Sequence, residues 1–289
     1  MKKNLFPDYQ PKHDRLICVD SDGCVFDTME LKHKECFCPA AIHAWGLQPI
    51  SKYVRDAWEY SNLYSKDRGR SRFHEILLVF DLLARREELK EYDFQLPDIA
   101  PLRKWVETAP LLNNEELAKQ KGPVMEQALR WSLEMNSRAA DMVEGVPPFP
   151  GVRKSFERLS KQADIVIVSA TPREALEREW NEHGLMEYIT LLCAQEDGSK
   201  KECIASIKTH YDQGNILMMG DAPGDQEAAK ANGVLFFPIL PGQEIKSWKE
   251  FCEVGADCFL ENRFAGEYQQ ELIRRFDKSL PNTPPWESN

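Results

Sequence analysis

The carboxyl-terminal half of the chain alternates short apolar runs with segments that are typical of helices. The runs IVIVS, ITLLCA, ILMMG and VLFFPIL are separated by stretches such as SKKECIASIKTHY and GDQEAAKANG. A further apolar run, Leu16 to Val19, lies near the amino terminus. Strands that alternate with helices form right-handed βαβ units, whose strands lie parallel in one sheet. The sequence therefore predicts an α/β fold built on a doubly wound parallel sheet.

The segment between the first and second apolar runs, residues 28–144, follows a different pattern. It lacks clean alternation, and between residues 73 and 83 its apolar side chains recur at spacings of three and four, as on a helix face. Proline and glycine residues divide it into several helices. We therefore expect a core domain of residues 1–27 and 145–289 and an inserted helical domain of residues 28–144.

Composition narrows the class of protein. A net charge of −10 argues against a nucleic-acid partner, because a phosphate backbone needs a basic surface. No apolar run approaches the roughly 20 residues that span a bilayer, and the amino terminus lacks the apolar core of a secretory signal. The eight cysteines are scattered through the chain rather than crowded as in small secreted scaffolds. We expect a cytoplasmic protein with reduced thiols and no membrane partner.

Several predicted strands end in polar residues. Asp20 and Asp22 follow the first strand, Ser169 ends the second, and Asp221 and Asp225 follow the run ILMMG. In a doubly wound parallel sheet, ligands bind beyond the carboxyl ends of the strands, so these groups should converge on one edge. Four crowded carboxylates repel one another unless a cation lies among them, and their oxygen atoms suit Mg²⁺. The sequence therefore predicts a magnesium site at this edge.

The polar strand ends and one lysine-containing loop fall in four short motifs, which are, in chain order, VDSDGCVFDT, IVIVSAT, GSKKE and GDAPGD. In this order they resemble the motifs of the haloacid dehalogenase-like superfamily of hydrolases. VDSDGCVFDT resembles the first motif, DxDGxxxDT, and IVIVSAT resembles the second, a strand that ends in Ser or Thr. GSKKE is similar to the third, which carries one Lys, and GDAPGD matches the fourth, GDxxxD. The resemblance covers essentially the whole chain. It implies a Rossmann-like core with a C1-type helical cap inserted between the first and second motifs.

The resemblance also implies roles for the acidic residues. Asp20 would be the nucleophile that forms an aspartyl-phosphate, and Asp22 would be the general acid and base. Mg²⁺ would bind Asp20, the backbone carbonyl of Asp22, and Asp221, with Asp225 supporting the site directly or through water. Dehalogenases of this superfamily lack an acid at the position of Asp22, and its ATPases carry Thr there. The second acid therefore points to phosphate ester chemistry.

The same resemblance assigns groups to the phosphate. Ser169 and Lys200 would hold the phosphoryl oxygens, and backbone N–H groups near Gly23 and Ala170 would help to stabilise the transition-state charge. The third motif is loose, because Lys200 and Lys201 are adjacent. Lys200 is favoured because the sequence Gly-Ser-Lys places it at the junction of a loop and a helix.

The function that this resemblance implies is Mg²⁺-dependent hydrolysis of a small phosphorylated metabolite. A β-phosphoglucomutase-like phosphosugar isomerase is the alternative enzyme, since it would use the same acids and differ by its need for a bisphosphate. A catalytically inactive protein that binds phosphate esters and regulates another process is the alternative outside the enzymes. The sequence does not identify the substrate.

A basic run in the helical segment, SKDRGRSRF, bears on how the substrate is bound. A charge run is usually a solvated face, but this one belongs to an acidic chain that is expected to bind an anion. Two of its members, Arg68 and Arg72, are candidates for contacts with the substrate.

Overall fold

The structure, a computed structural model, describes residues 5–287 and divides into two compact units. The sheet unit contains residues 5–29 and 145–280. The helical unit contains residues 30–144 and 281–287. The first two boundaries lie within two residues of the positions expected from the sequence.

The sheet unit is built on five parallel strands, in the order β3-β2-β1-β4-β5. Leu16 of β1 is in register with Asp164 of β2 on one side and with Ile216 of β4 on the other. The parallel α/β fold that the sequence predicts is therefore confirmed. The strands are β1 (Leu16–Val19), β2 (Asp164–Val168), β3 (Leu191–Cys193), β4 (Ile216–Gly220) and β5 (Leu235–Pro238).

Apart from the buried Asp164 at the start of β2, the strands are continuous apolar runs, because both faces of the sheet are covered. Ile17 and Val19 pack into one hydrophobic cluster, and Leu16 and Cys18 pack into another on the opposite face. Parallel strands buried on both faces need apolar side chains at every position rather than at alternate ones.

The helical unit begins within a long helix. Helix α1 (Thr28–Leu31) starts in the sheet unit and continues through a π-helical stretch, Lys32–Phe37, into α2 (Cys38–Ala44). The hydrophobic core of the helical unit contains the fully buried rings of Trp58 and Trp131. The other helices are α3 (Ser51–Leu63), α4 (Arg72–Arg85), α5 (Ala100–Thr108), α6 (Asn114–Ala118) and α7 (Pro123–Met142), with 3₁₀ turns at Gln48–Ile50, Glu87–Glu91 and Pro285–Glu287.

Helices of the sheet unit connect and follow the strands. They are α8 (Val152–Leu159), α9 (Arg173–Glu182), α10 (Lys200–Ile207), α11 (Pro223–Asn232), α12 (Glu244–Glu250), α13 (Ala256–Leu260) and α14 (Glu267–Ser279). A π-helical stretch, Phe251–Gly255, joins α12 to α13. Shorter 3₁₀ turns lie at Met186–Tyr188, Gln195–Asp197, Lys208–His210 and Gln213–Asn215. Among residues 5–287, no helix has the length and apolar character needed to cross a membrane.

The carboxyl-terminal segment differs from the expectation that the core continues to residue 289. Residues 281–287 belong to the helical unit, where the Tyr60 hydroxyl donates to the Pro281 carbonyl over 3.3 Å. The ring of Trp286 meets Tyr60 edge to face and covers the guanidinium of Arg86, 4.3 Å from the ring centroid. Aromatic and cation–π contacts therefore hold this segment to the helical unit. The last two residues lie outside the described range.

Candidate active site

The loop after β1 brings Asp20 to the carboxyl end of the sheet. The Asp20 N–H donates to the Met219 carbonyl of β4, 3.0 Å away, and the Ser21 N–H donates to the Asp20 carboxylate over 2.8 Å. The chain then turns sharply at Gly23, whose φ of 72° is left-handed and suits a residue without a side chain. Asp20 and Asp22 therefore both lie on the short loop between the end of β1 and this turn.

Three buried carboxylates meet beyond the ends of β1 and β4. One carboxylate oxygen from each of Asp20, Asp221 and Asp225 lies within 4.8 Å of the other two. All three residues are at most 6% exposed. The convergence that the sequence predicts for these residues is therefore present in the structure. Asp22 lies in the same loop, but its carboxylate does not belong to this group of three.

Lys200 bridges two members of this acid cluster. Its ammonium lies 2.6 Å from a carboxylate oxygen of Asp20 and 2.6 Å from one of Asp225. Ser199 and Glu202 fix the start of α10 by reciprocal hydrogen bonds between side chain and backbone, which sets the position of Lys200. Lys201 is exposed, so the geometry distinguishes the two adjacent lysines.

Burial and the bridging lysine have opposite effects on the acids. Burial raises the pKa of Asp20 to about 6, and the nearby Lys200 ammonium opposes that rise. Burial also raises the pKa of Asp225, again against the effect of Lys200. Burial alone would lower the pKa of Lys200, but the two carboxylates raise it above its usual range. Lys200 therefore stays an ammonium, and its charge opposes the rise that burial causes in the pKa of both acids.

Asp225 approaches the backbone of Gly220 very closely. Its carboxylate accepts a hydrogen bond from the Ala222 N–H over 3.0 Å. A Cβ atom on Gly220 would lie 2.3 Å from the carboxyl carbon and from one carboxylate oxygen of Asp225. The first glycine of GDAPGD is therefore required by packing, because Asp225 occupies the space that a side chain would need.

The carboxylate of Asp22 is held by two threonines. The Thr171 hydroxyl donates to one of its oxygens over 2.8 Å, and the Thr28 hydroxyl donates to the other. Neither threonine was selected from the sequence. Thr28 ends the DT of the first motif and Thr171 ends the SAT of the second, so their places within the motifs were the available signal.

The predicted phosphate-binding residues lie where β2 ends. Ser169 is buried, its N–H donates to the Cys193 carbonyl over 3.0 Å, and its hydroxyl accepts from the Thr171 N–H over 3.2 Å. Ala170 is exposed. Their contact with a phosphoryl group stays a prediction.

The two candidate arginines form contacts inside the helical unit. Arg68 is buried and donates to the Leu63 carbonyl over 2.9 Å. Arg72 donates to the carbonyl and hydroxyl oxygens of Ser132 and to the Asn136 side chain, over 2.7–3.1 Å. These contacts show that both side chains order the helical unit itself. Their contact with the substrate stays a prediction.

Comparison with known proteins finds one family. The family model described as haloacid dehalogenase-like hydrolase matches residues 87–239, which is more than half of the chain. No curated protein matches the sequence.

Solved structures of similar proteins share little sequence identity with this chain. A protein from Bacteroides fragilis assigned as a haloacid dehalogenase-like hydrolase is 14% identical, with 82% of this chain and 93% of that chain covered and a TM-score of 0.49. One from Lactobacillus plantarum assigned as a phosphoglycolate phosphatase is 16% identical, with 81% and 90% covered and a TM-score of 0.42. One from Thermotoga maritima assigned as a β-phosphoglucomutase is 17% identical, with 82% and 99% covered and a TM-score of 0.41.

Proposed function

The chain belongs to the haloacid dehalogenase-like hydrolase family, and on that premise we propose that it is a magnesium-dependent phosphatase. Its substrate is a small phosphorylated metabolite, cleaved through an aspartyl-phosphate intermediate. The observation that carries the proposal is the buried cluster of Asp20, Asp221 and Asp225, bridged by the ammonium of Lys200.

The donor set of this cluster fits a magnesium ion. Three ionised carboxylates and one ammonium would give this buried site a net charge of −2, and buried charges of that kind need compensation. Mg²⁺ supplies two positive charges and prefers oxygen ligands. Asp20, Asp221 and the backbone carbonyl of Asp22 would hold the ion, with Asp225 in support. When bound, the ion would neutralise charge on the phosphoryl oxygens.

Asp20 and Asp22 divide the chemistry between them. A carboxylate oxygen of Asp20 attacks phosphorus, and the bond from phosphorus to the leaving oxygen breaks. Asp22 gives a proton to that leaving oxygen and then takes a proton from the water that attacks the aspartyl-phosphate. The bond from phosphorus to the Asp20 oxygen breaks as the water oxygen bonds to phosphorus, phosphate leaves, and both side chains return to their starting states. The threonine hydroxyls at 28 and 171 support this assignment, since they fix the direction of the Asp22 carboxylate.

Positive charge and hydrogen-bond donors complete the proposed site. Lys200 is a fixed ammonium beside the nucleophile, where it would attract the phosphoryl oxygens. Ser169 and the N–H of Ala170 follow β2 and would donate to the same oxygens. In the helical unit, Arg68 and Arg72 remain candidates for the rest of the substrate.

The proposal is tested by release of phosphate from p-nitrophenyl phosphate. We expect turnover that needs Mg²⁺, stops with a chelator and is lost in Asp20→Asn. Asp14→Asn is the matched control, because Asp14 is an exposed acid just before β1, at the opposite end of that strand. Activity that survives Asp20→Asn or the chelator would refute the mechanism. Turnover of a phosphosugar only with added bisphosphate would identify a phosphomutase instead.

A further inference from the structure

Two tryptophans hold the loop that carries the paired acids. The indole N–H of Trp180, in α9, donates to the Ser21 hydroxyl oxygen over 3.0 Å. The indole N–H of Trp248, in α12, donates to the Cys24 carbonyl over 2.7 Å. Both rings are completely buried. Indole is a donor only, so each ring fixes one acceptor of the loop without accepting from another group.

The two indoles are themselves held in place by a shared aromatic residue. Phe156 stacks on Trp180 with an interplanar angle of 9° and a centroid distance of 5.9 Å. The same ring meets Trp248 edge to face at 6.0 Å. Phe26, at the end of the loop, packs edge to face on Trp180 at 5.6 Å. Aromatic groups in these arrangements attract one another, so the two N–H donors start from a rigid support.

The loop between the acids depends on a few hydrogen bonds. The Ser21 carbonyl accepts from the N–H groups of Cys24, Val25 and Phe26, over 2.8–3.3 Å. The Ser21 N–H donates to the Asp20 carboxylate. Ser21 therefore links the nucleophile to the turn, and its side chain is the group that Trp180 holds.

We propose that Trp180 and Trp248 are positioning residues for Asp20 and Asp22. Their indole N–H groups anchor the loop at Ser21 and at Cys24, one on each side of Asp22. The expected effect on turnover rests on the proposed function, whereas the anchoring of the loop does not. Neither indole touches the reacting atoms. Their effect passes through the loop backbone, which sets the direction of both carboxylates.

Removal of each N–H donor tests the inference. Trp180→Phe and Trp248→Phe keep an aromatic ring but leave a buried acceptor unpaired, which should lower kcat by about tenfold. KM should change by less than about twofold, because no direct contact with substrate is lost. Trp45→Phe is the matched control. Trp45 is also buried, and its indole N–H has no hydrogen-bond partner among the described residues.

A second readout does not depend on activity. Hydrogen exchange of the amides of residues 21–26, followed by mass spectrometry, should be faster in Trp180→Phe and Trp248→Phe than in the wild type. The Trp45→Phe protein should exchange this loop at the wild-type rate. If the wild-type protein releases no phosphate but the two variants still exchange this loop faster, the proposed function is refuted and the anchoring role is kept. Unchanged exchange would overturn the inference, as would faster exchange with unchanged kcat in an active enzyme.

Ser21→Ala tests the same bond from the acceptor side. It removes the hydroxyl that Trp180 contacts and keeps both aromatic rings, so it decides the point even if Trp180→Phe does not fold. We expect Ser21→Ala to lower kcat as Trp180→Phe does, and the double variant to lose no more than either single one. Independent losses that multiply in the double variant would contradict a role for this hydrogen bond.

Discussion

Replacement of Gly220 by alanine tests the packing that positions Asp225. The new Cβ would lie 2.3 Å from the carboxyl carbon of Asp225 and 2.5 Å from its Cβ, far inside van der Waals contact. Asp225 would therefore have to move. Its carboxylate would lose the hydrogen bonds from the Ala222 N–H and from the Lys200 ammonium, at 3.0 and 2.6 Å.

The expected cost follows from these contacts. Overpacking costs about 1–3 kcal/mol, and a buried hydrogen bond to a charged group is worth about 1.5–3 kcal/mol. Gly220→Ala should therefore lower the free energy of unfolding by about 3 kcal/mol. Because Asp225 and Lys200 flank Asp20, turnover and Mg²⁺ affinity should fall as well. Urea denaturation followed by circular dichroism measures the first effect, and calorimetric titration with Mg²⁺ measures the last.

The same hexapeptide supplies a matched control. Gly224 of GDAPGD lies in the first turn of α11, and a Cβ atom there would meet no neighbouring atom of residues 5–287 within 4 Å. Gly224→Ala should leave stability unchanged or raise it by less than about 1 kcal/mol, because alanine favours a helix over glycine. Equal stability and equal activity in the two alanine variants would refute the claim that Asp225 fills the space beside Gly220.

Two further predictions concern the other polar groups. Burial raises the pKa of Glu75 to about 8 from an ordinary 4.5, so the folded state binds this proton more tightly than the unfolded state. Wild-type stability should fall relative to Glu75→Gln as pH rises from about 4.5 to about 8, by on the order of a few kcal/mol. Urea denaturation at pH 5 and pH 8.5 measures the difference in the free energy of unfolding between the wild type and Glu75→Gln. Glu107→Gln, at an exposed position, is the control. A difference that is the same at both pH values would contradict the reasoning. The second prediction concerns Thr171→Val, which removes a hydrogen-bond donor to Asp22 and should lower kcat about tenfold. Thr171→Ser keeps a hydroxyl and should retain the wild-type kcat. Steady-state kinetics in which the two variants behave alike would show that the hydroxyl is not needed.

The acid cluster could be predicted from the sequence because each member follows a strand. A parallel sheet brings the carboxyl ends of its strands to one edge, whatever their separation along the chain. Asp20 and Asp221 are some 200 residues apart, yet β1 and β4 are neighbours in the sheet. The strand ends predict which edge of the sheet these acids share, and the adjacency of β1 and β4 then brings them close enough to form one cluster.

The threonines that hold Asp22 could not be selected in the same way. Each lies in a recognisable motif, but the motif does not say where a hydroxyl points. Thr171 reaches an oxygen of Asp22 149 residues away along the chain, over 2.8 Å. The close approach of Asp225 to Gly220 is equally hidden, because a glycine in a sequence suggests a turn more readily than a filled space.

The side-chain contacts of the helical unit are harder to predict than the acid cluster. Arg72 belongs to a charge run of the kind that is usually solvated, yet its guanidinium donates to Ser132 and Asn136, which lie 60 and 64 residues further along the chain. A charge run records composition, whereas the partner of each charge depends on how helices pack. Helix packing has no counterpart to the common edge of a parallel sheet, so charge alone could not separate an arginine that orders α7 from one that meets a phosphate. The acid cluster follows from local sequence plus one rule of topology, whereas the contacts inside the helical unit depend on packing for which no comparable rule exists.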